Sequence, residues 1–210
     1  MRKLLFSNAS PFARRVRIVL EEKQLNYDKD ILDALRPVED IRSVNPALQV
    51  PVLHDSNRTL WGSDLILEYL LETYSDSPGT DPNRPLARSI TRSDQRWDDG
   101  LILTTIGALA DSLVNVRLVR AGAGAASLPY MDRQMTRINA CLDWLEERAT
   151  PEGFWPGTFS IMDVSLMCPL LYGEERDIFQ YRTGHWPTIS ALIDALSERA
   201  SVKATPVTPR

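Results

Sequence analysis

A proline-rich segment near the middle of the sequence most constrains how this chain folds. Residues 75–86, SDSPGTDPNRPL, contain three prolines, one glycine and no apolar face. Proline lacks a backbone N–H and fixes φ, so such a segment neither continues a helix nor forms the interior of a sheet. We therefore predict two domains, over 1–75 and 87–210, joined by a linker over 76–86. With 210 residues and 43% hydrophobic content, the chain is long enough for two small hydrophobic cores.

The first domain alternates between strand and helix patterns. Apolar residues at helical spacing predict a helix over 12–23, and Ser63 opens a second helix. Between them the sequence predicts a strand and then a hairpin whose connection is SNR. The predicted strands are Lys3–Phe6, Tyr27–Leu32, Val50–Leu53 and Thr59–Trp61. This order of elements predicts a small α/β layer domain.

The second domain shows only helical periodicity. Recurring apolar residues predict helices over 86–120 and 127–149, a third that begins near Ser160 and a fourth from Pro187 to Ala200. We expect the last residues, 202–210, to be loosely held. The predicted fold class is therefore α/β plus all-α, with the all-helical domain at the C-terminal end.

Charge and composition exclude several classes of function. The net charge is −4, which argues against a protein that binds nucleic acid or anionic membranes through a basic face. No apolar run approaches the roughly 20 residues that span a bilayer. The apolar stretch in MRKLLFSNAS is also shorter than a signal-peptide core. We therefore expect a cytoplasmic protein with neither a nucleic-acid nor a membrane partner.

The cysteines and histidines do not form a metal-binding pattern. Cys141 and Cys168 lie far apart in apolar helical segments, and His54 and His185 are isolated. A metal site would need several such ligands close together. We expect no metal and interpret the two cysteines as buried thiols.

The start of the first helix carries an uncharged hydroxyl followed by cations. In Ser10-Pro11-Phe12 the serine either caps the helix or contacts an anion that binds there. Three arginines follow on the same helix, and their spacing spreads them over more than one face. We interpret them as a solvated or subunit-facing cluster rather than as three ligand contacts; they are Arg14, Arg15 and Arg17.

Three further motifs leave a structural and a functional interpretation side by side. Pro51, after Val50, marks either an edge strand or a cis-proline that leaves the Val50 backbone free to pair with a peptide-like ligand. Ser63 either caps the second helix, which we favour, or joins its N–H groups in holding a carboxylate. Ser160 and Asp163 have capping-box spacing, for which the structural interpretation is clearly better.

The succession of these motifs resembles the cytosolic glutathione transferases. SPFARRVRI, NPALQVPVL and WGSDLILEYL precede a Pro-rich linker and an all-helical part with FSIMD, so the resemblance covers essentially the whole chain. The form of the first motif is most similar to the serine-type classes, namely tau, zeta and their bacterial relatives. The resemblance implies a thioredoxin-like N-terminal domain followed by a helical-bundle domain, and a homodimer.

The resemblance also assigns roles in binding glutathione. Ser10 falls at the position that donates a hydrogen bond to the glutathione sulfur and favours its thiolate. Val50, before a presumed cis-Pro51, resembles the residue whose backbone pairs with the cysteinyl part, and Ser63 resembles the residue that holds the γ-glutamyl carboxylate. Phe12 would wall the sulfur side, and Gln49 would face the glycyl end.

Two departures from the family pattern fall in these motifs. Gly62 stands where the family usually has an acidic residue that helps to hold the γ-glutamyl amine. We hypothesise that Asp64, or Asp98 or Asp99 of a partner subunit, compensates. Leu48 stands where the pattern usually has glycine, which bears on the geometry of that loop.

The resemblance implies an enzyme, a glutathione transferase that conjugates the glutathione thiolate to small hydrophobic electrophiles. Glutathione would be the co-substrate, and the electrophile would lie near Trp97 and Leu101. One alternative is a narrower glutathione-dependent isomerase or dehalogenase, although zeta-type members have Ser-Cys where this chain has Pro11-Phe12. Another is a non-catalytic glutathione-transferase-like module for binding or assembly, for which Gly62 is the best support.

Overall fold

The N-terminal part of the chain is built around a four-stranded sheet. A computed structural model describes residues 1–32, 41–75, 79–123, 129–183 and 185–207. The strands are β1 (Arg2–Phe6), β2 (Asp28–Ile31), β3 (Val52–Asp55) and β4 (Arg58–Trp61). Their order in the sheet is β2-β1-β3-β4, with β1 parallel to β2 and antiparallel to β3, and with β3 antiparallel to β4. A parallel pair needs a crossover connection, and a helix supplies it here.

Among the residues that the structure describes, two helices accompany this sheet, α1 (Pro11–Glu22) between β1 and β2, and α2 (Ser63–Thr73) after β4. Apolar side chains of α1 and of the sheet are wholly buried, which identifies the core of this part. They include Val16, Ile18 and Leu20 of α1 and Leu4, Phe6 and Leu53 of the sheet. The predicted strands and helices of the first domain are confirmed to within a few residues.

The second part of the chain is helical. Its helices are α3 (Arg96–Ala123), α4 (Pro129–Glu146), α5 (Ile161–Glu175) and α6 (Pro187–Ser197), followed by the one-turn α7 (Ala200–Lys203). Within the described residues after Trp61, the chain forms no further strand of the sheet. The predicted fold class, a thioredoxin-like α/β domain followed by helices, is confirmed.

The chain divides into two compact units. The first contains Met1–Ile90 and the described residues from Ala200 onward, and the second contains Thr91–Arg199. The expectation of a loosely held tail is wrong at Val202 and Thr205, which are 3% and 0% exposed. The predicted domains over 1–75 and 87–210, with a linker over 76–86 that falls partly outside the described residues, stay a prediction about which parts fold on their own.

The long helix α3 begins ten residues later than its apolar pattern predicts. Asp99, in the first turn of α3, is wholly buried and accepts hydrogen bonds from the Arg92 backbone N–H (2.7 Å) and guanidinium (2.6 Å). This hydrogen bonding to Asp99 also raises the pKa of Arg92. The chain before Arg96 is therefore held in a non-helical turn, despite its apolar residues.

Helix α3 also has the length and composition of a membrane-spanning helix over Arg96–Gly122, contrary to the expectation from the sequence. Helices that form the core of a helical domain meet the same criterion. Leu109, Leu113 and Val116 of α3 are fully buried within the second unit. Their burial is the arrangement expected of such a core helix.

The capping box predicted at the start of α5 is confirmed. The Ser160 hydroxyl accepts from the Asp163 backbone N–H (3.2 Å), and the Asp163 carboxylate accepts from the Ser160 backbone N–H (2.9 Å). The other oxygen of Asp163 accepts from the Phe154 backbone N–H (3.0 Å). This wholly buried aspartate therefore joins the preceding loop to the helix and serves the fold.

Candidate functional site

Three sequence motifs meet at one edge of the sheet. Leu5 near the end of β1 is paired with Val52 at the start of β3, and Val52 is paired with Trp61 at the end of β4. Because neighbouring strands are antiparallel here, the chain leaves β1, enters β3 and leaves β4 at the same edge. We call this the site edge. The segments that lie there are residues 7–10, 49–51 and 62–64.

Ser10 is the N-cap of α1. It has an extended backbone (φ −82°, ψ 120°), and its hydroxyl oxygen accepts from the Ala13 backbone N–H at 3.2 Å. The structural interpretation of Ser10 is thus confirmed. A capping hydroxyl uses an oxygen lone pair, however, and its own O–H remains able to donate. Capping and donation to an anion are therefore compatible at this residue.

The three arginines of α1 are buried, so the expectation of a solvated or subunit-facing cluster is wrong. Arg14, Arg15 and Arg17 are 5%, 8% and 6% exposed within the chain. Each guanidinium donates to an acceptor in the first unit, and those of Arg15 and Arg17 also lie over aromatic rings. These acceptors and rings compensate the loss of hydration.

Arg15 joins the starts of the two helices. Its guanidinium donates to the Ser63 hydroxyl oxygen, forms an ion pair with Asp64 (2.8 Å) and lies 5.6 Å from the centre of the Phe12 ring. Since Arg15 is on α1 and Ser63 begins α2, one buried cation connects two motifs of the site edge. The arrangement places positive charge next to Ser63, where a carboxylate is favoured.

Ser63 does not cap α2, which contradicts the interpretation that we favoured. The N-cap is Gly62, and no side chain caps this helix start. Gly62 has φ 82°, a conformation that suits glycine and turns the chain from β4 into α2. Ser63 is 6% exposed and accepts from Arg15, so its O–H remains able to donate to a ligand.

The peptide bond between Val50 and Pro51 is cis, as the functional interpretation of this motif requires. Among the described residues, the backbone of Val50 makes no hydrogen bond. Gln49 beside it is exposed, and Leu48 has φ 56°, a left-handed conformation unfavourable for a leucine. The loop therefore presents free backbone groups at the site edge.

Asn45 holds this loop and was missed at the level of sequence. Its side-chain amide donates to the Gln49 carbonyl (2.7 Å), its side-chain oxygen accepts from the Ala47 N–H (2.9 Å), and it is 1% exposed. The available signal was an asparagine directly before Pro46, since asparagine side chains commonly hydrogen-bond to the backbone of a following turn.

The acidic residues that we considered for the γ-glutamyl amine differ in availability. Asp64 lies at the site edge, is paired with Arg15, and has a side chain that is 78% exposed. Asp99 is wholly buried and bound by Arg92 of its own chain. Asp98 is exposed on α3. The carboxylate of Asp99 is thus already engaged, whereas those of Asp64 and Asp98 are accessible.

In the second unit, the predicted electrophile residues lie on the surface of α3. Trp97 is 79% exposed and Leu101 is 56% exposed. A groove of about 440 Å³, which no sequence pattern indicated, lies between α3 and α4. It is lined by Leu101, Thr105, Arg137, Ala140, Cys141 and Trp144.

The two cysteines differ in their surroundings. Cys168 is buried as expected, whereas Cys141 is half-buried at the groove, and this burial raises the pKa of the Cys141 thiol. Within the described ranges, no three His, Cys, Asp or Glu side chains are grouped as a metal site would require.

Comparisons with known proteins show similarity to glutathione S-transferases. Residues 9–73, which contain all three segments of the site edge except residues 7 and 8, match the family model for the glutathione S-transferase N-terminal domain. A solved glutathione S-transferase from Methylobacillus flagellatus with glutathione bound is 25% identical, with a TM-score of 0.76 over 99% of this chain and 100% of that one.

Curated relatives extend the similarity in sequence. The uncharacterized GST-like protein YibF of Escherichia coli (strain K12) is 26% identical over 205 residues, 97% of each chain. The stringent starvation protein A homolog of Pasteurella multocida is 32% identical over 122 residues, so the match spans 55% of this chain and only 57% of that relative. Residues 9–73 therefore form a glutathione S-transferase N-terminal domain, and the chain as a whole has the glutathione S-transferase fold.

Proposed function

We propose that this protein is a glutathione transferase that conjugates the glutathione thiolate to small hydrophobic electrophiles. The observation that carries the proposal is the convergence of Ser10, Val50 and Ser63 at one edge of the sheet, each with a polar group able to bind a ligand. Glutathione is an anionic tripeptide with a thiol, a peptide backbone and a γ-glutamyl carboxylate, and these groups match the three residues in kind.

The chemical task of Ser10 is to stabilise a sulfur anion. Its O–H donates to the thiolate, and the N-terminus of α1 adds positive potential at the same place. Lowering a thiol pKa by two units corresponds to about 2.7 kcal/mol, which one charge-assisted hydrogen bond and a helix terminus together supply. The thiolate then attacks the electrophilic carbon, a carbon–sulfur bond forms, a leaving group departs with its electron pair, and the thiol proton passes to solvent.

The other groups of the site edge would orient the tripeptide. The free backbone of Val50 pairs with the cysteinyl part, and the phenyl ring of Phe12 excludes water from the sulfur side. Ser63, with Arg15 behind it, holds the γ-glutamyl carboxylate. Asp64, the residue after Ser63, would hold the γ-glutamyl amine. Gln49 would face the glycyl end of glutathione.

We further propose a homodimer and an electrophile site that includes Trp97 and Leu101. Large apolar side chains are exposed in both units, among them Trp61 (41%) and Leu65 (51%) in the first and Trp97 and Leu101 in the second. Such exposure is typical of interaction surfaces. Sedimentation equilibrium tests the dimer, and a single species of 23.7 kDa would contradict it.

Replacing Ser10 by alanine is the direct test of the mechanism. If Ser10 lowers the thiol pKa by about two units, Ser10→Ala leaves about 100-fold less thiolate well below the pKa, and kcat/KM with a chlorodinitrobenzene electrophile falls to match. The variant also loses about 1 kcal/mol of stability, because the cap of α1 is removed. Full activity in a folded Ser10→Ala protein would refute the role of Ser10.

Ser10→Asp is the matched control that separates capping from donation. Aspartate caps a helix as well as serine does, so this variant keeps the stability that Ser10→Ala loses. An ionised carboxylate cannot donate a hydrogen bond, so the variant loses the activity nonetheless. A Ser10→Asp variant that kept both its stability and its conjugating activity would contradict the proposed chemistry.

A non-catalytic binding or assembly module is the second candidate function. Two of the relatives favour it, since neither the stringent starvation protein A homolog nor YibF carries a name that states an activity. Gly62 also leaves the site without an acidic side chain at that position. Passage through immobilised glutathione without retention, together with no conjugation rate, would favour this module. Turnover of maleyl-type or haloacid substrates would instead indicate the narrower isomerase or dehalogenase.

A further inference from the structure

The residues that follow the helical part, 200–207, lie against α1; we call them the C-terminal strap. The strap consists of α7 and the turn after it. The Ala204 backbone N–H donates to the Ala200 carbonyl (2.9 Å), and the Thr205 hydroxyl donates to the Ser201 carbonyl (2.9 Å). Ser201 is 2% exposed and Thr205 is 0% exposed. The strap therefore has its own hydrogen bonds and is buried as part of the first unit.

Two buried charged residues of α1 are hydrogen-bonded to the strap. The Arg14 guanidinium donates through Nε to the Thr205 carbonyl at 2.6 Å, and the Ser201 hydroxyl donates to the Glu22 carboxylate. The other carboxylate oxygen of Glu22 accepts from the backbone N–H and hydroxyl of Thr80, at 3.0 and 3.1 Å. Buried charges are tolerated only with such partners. The strap thus hydrogen-bonds to a buried charged side chain near each end of α1.

Arg14 connects the strap to the residue that begins the helix. Its backbone N–H donates to the Ser10 carbonyl at 3.0 Å, while its side chain holds Thr205. The Ser10 hydroxyl is oriented by the bond from Ala13, the neighbour of Arg14. A misplacement of roughly 1 Å at a reacting group can cost as much as about 100-fold in rate. The attachment of Arg14 to the strap is therefore close enough to Ser10 to affect its chemistry.

We propose that the C-terminal strap sets the position of the Ser10 hydroxyl, and that Arg14 is the positioning residue through which it does so. This inference rests on the proposed function, because the position of Ser10 affects catalysis only if its hydroxyl stabilises a thiolate. The strap comes from the opposite end of the sequence, so the thiol-binding unit is completed only after the helical part has been made. Without the strap, α1 would keep its helix but lose the anchor at Arg14 in its first turn.

The pH dependence of thiol ionisation in bound glutathione tests the proposal. Arg14→Met removes the guanidinium and keeps an unbranched side chain. We expect the midpoint for formation of the bound thiolate, followed by its ultraviolet absorbance, to rise by about 0.7 unit, which is about fivefold less thiolate well below the midpoint. The conjugation rate should fall by the same factor at low pH and recover at high pH, where the thiol ionises without help.

Ser201→Ala is the matched control. It removes the hydrogen bond from the strap to Glu22, which lies at the end of α1 that is far from Ser10. It should lower the thermal stability about as much as Arg14→Met and leave the thiol midpoint unchanged. An equal shift of the midpoint in both variants would mean that general loosening, and not the Arg14 contact, is responsible. That result would overturn the role of Arg14.

A milder variant keeps the test decisive if Arg14→Met does not fold. Thr205→Gly leaves Arg14 intact and frees the backbone of the strap, and we expect a midpoint higher by about 0.3 unit, or about twofold less thiolate. An unchanged midpoint in the folded variant overturns the proposal. If the unmodified protein forms no bound thiolate and conjugates nothing, the proposed function fails, and this inference fails with it.

Discussion

The two edges of the sheet differ in how completely their polar groups are satisfied. At the edge opposite the site edge, the Asp55 carboxylate is 4% exposed and accepts from the Arg2 guanidinium (3.2 Å), Tyr74 (2.5 Å) and Tyr69 (3.3 Å). At the site edge, by contrast, the O–H of Ser10 and the backbone of Val50 have donor or acceptor capacity to spare. A polar cluster whose donors are all engaged within the protein stabilises the fold, whereas one with hydrogen-bonding capacity to spare is a candidate for binding.

The hydrogen bond from Tyr74 to Asp55 persists to a higher pH than that of an ordinary tyrosine. Burial, followed by the hydrogen bond to Asp55, raises the pKa of Tyr74. The phenol therefore stays neutral, and keeps donating to Asp55, to a higher pH than an ordinary tyrosine would. The Arg2 guanidinium lies 4.6 Å from the centre of the Tyr74 ring and completes the cluster. All of these donors converge on Oδ2 of Asp55, which connects β1 and β3 to the end of α2.

The largest effect on stability is expected from Asp55→Asn. The change removes the negative charge from a buried ion pair and leaves the Arg2 guanidinium uncompensated, which costs about 3 kcal/mol. Urea unfolding measures the loss. Because Asp55 lies at the opposite edge, glutathione affinity of the protein that remains folded should not change. A folded Asp55→Asn protein with much weaker affinity for glutathione would show that the two edges of the sheet are coupled.

A smaller loss of stability, with a loss of binding, is expected from Asn45→Asp at the site edge. A carboxylate accepts from Ala47 as the amide does, but it faces the Gln49 carbonyl without a proton to donate. The Gln49 carbonyl loses its donor, and a charged carboxylate replaces an amide that is only 1% exposed, at a cost of about 2 kcal/mol. The loop that carries Val50 would be displaced, so calorimetry should show weaker glutathione binding.

The same chemical change at an exposed position is the control for Asn45→Asp. Asn57, in the turn between β3 and β4, is exposed. Asn57→Asp should change the free energy of unfolding by no more than about 0.5 kcal/mol. It should leave the affinity for glutathione unchanged. Equal effects at both asparagines would mean that the added charge, and not the lost hydrogen bond, is responsible.

The sequence predicted those features of the molecule that depend on neighbouring residues. The strands, the start of α1 and the capping box of α5 follow from periodicity and from side chains within a few positions, and all are confirmed. The partners of Arg14 and Glu22 lie 191 and 179 residues away, so no local pattern indicated that these charges would be buried. For the same reason residues 202–210 were predicted to be loosely held.

Ser63 shows a different limit of prediction. A serine at the start of a helix favours capping. The N-cap is nevertheless Gly62, one residue earlier, because of the turn between β4 and α2. The glutathione-binding roles that the family resemblance assigns to the site residues stay predictions. The sequence pattern describes the protein and not the ligand that it binds.

The smallest effect, and one of opposite sign, is expected at Leu48. Its left-handed backbone costs an ordinary L-residue roughly 1–2 kcal/mol, and its side chain is 43% exposed, so little burial offsets the strain. Leu48→Gly relieves this strain and loses part of the gain to the greater freedom of glycine when unfolded, for a net stabilisation of about 0.5 kcal/mol.

Ala47→Gly, one residue earlier where φ is not positive, should instead destabilise by about 0.5–1 kcal/mol. Urea unfolding of both variants checks the signs, and glutathione affinity should be unchanged or stronger in Leu48→Gly. A destabilised Leu48→Gly would show that the leucine side chain holds the loop, which would place a packing role at an edge that we have assigned to binding.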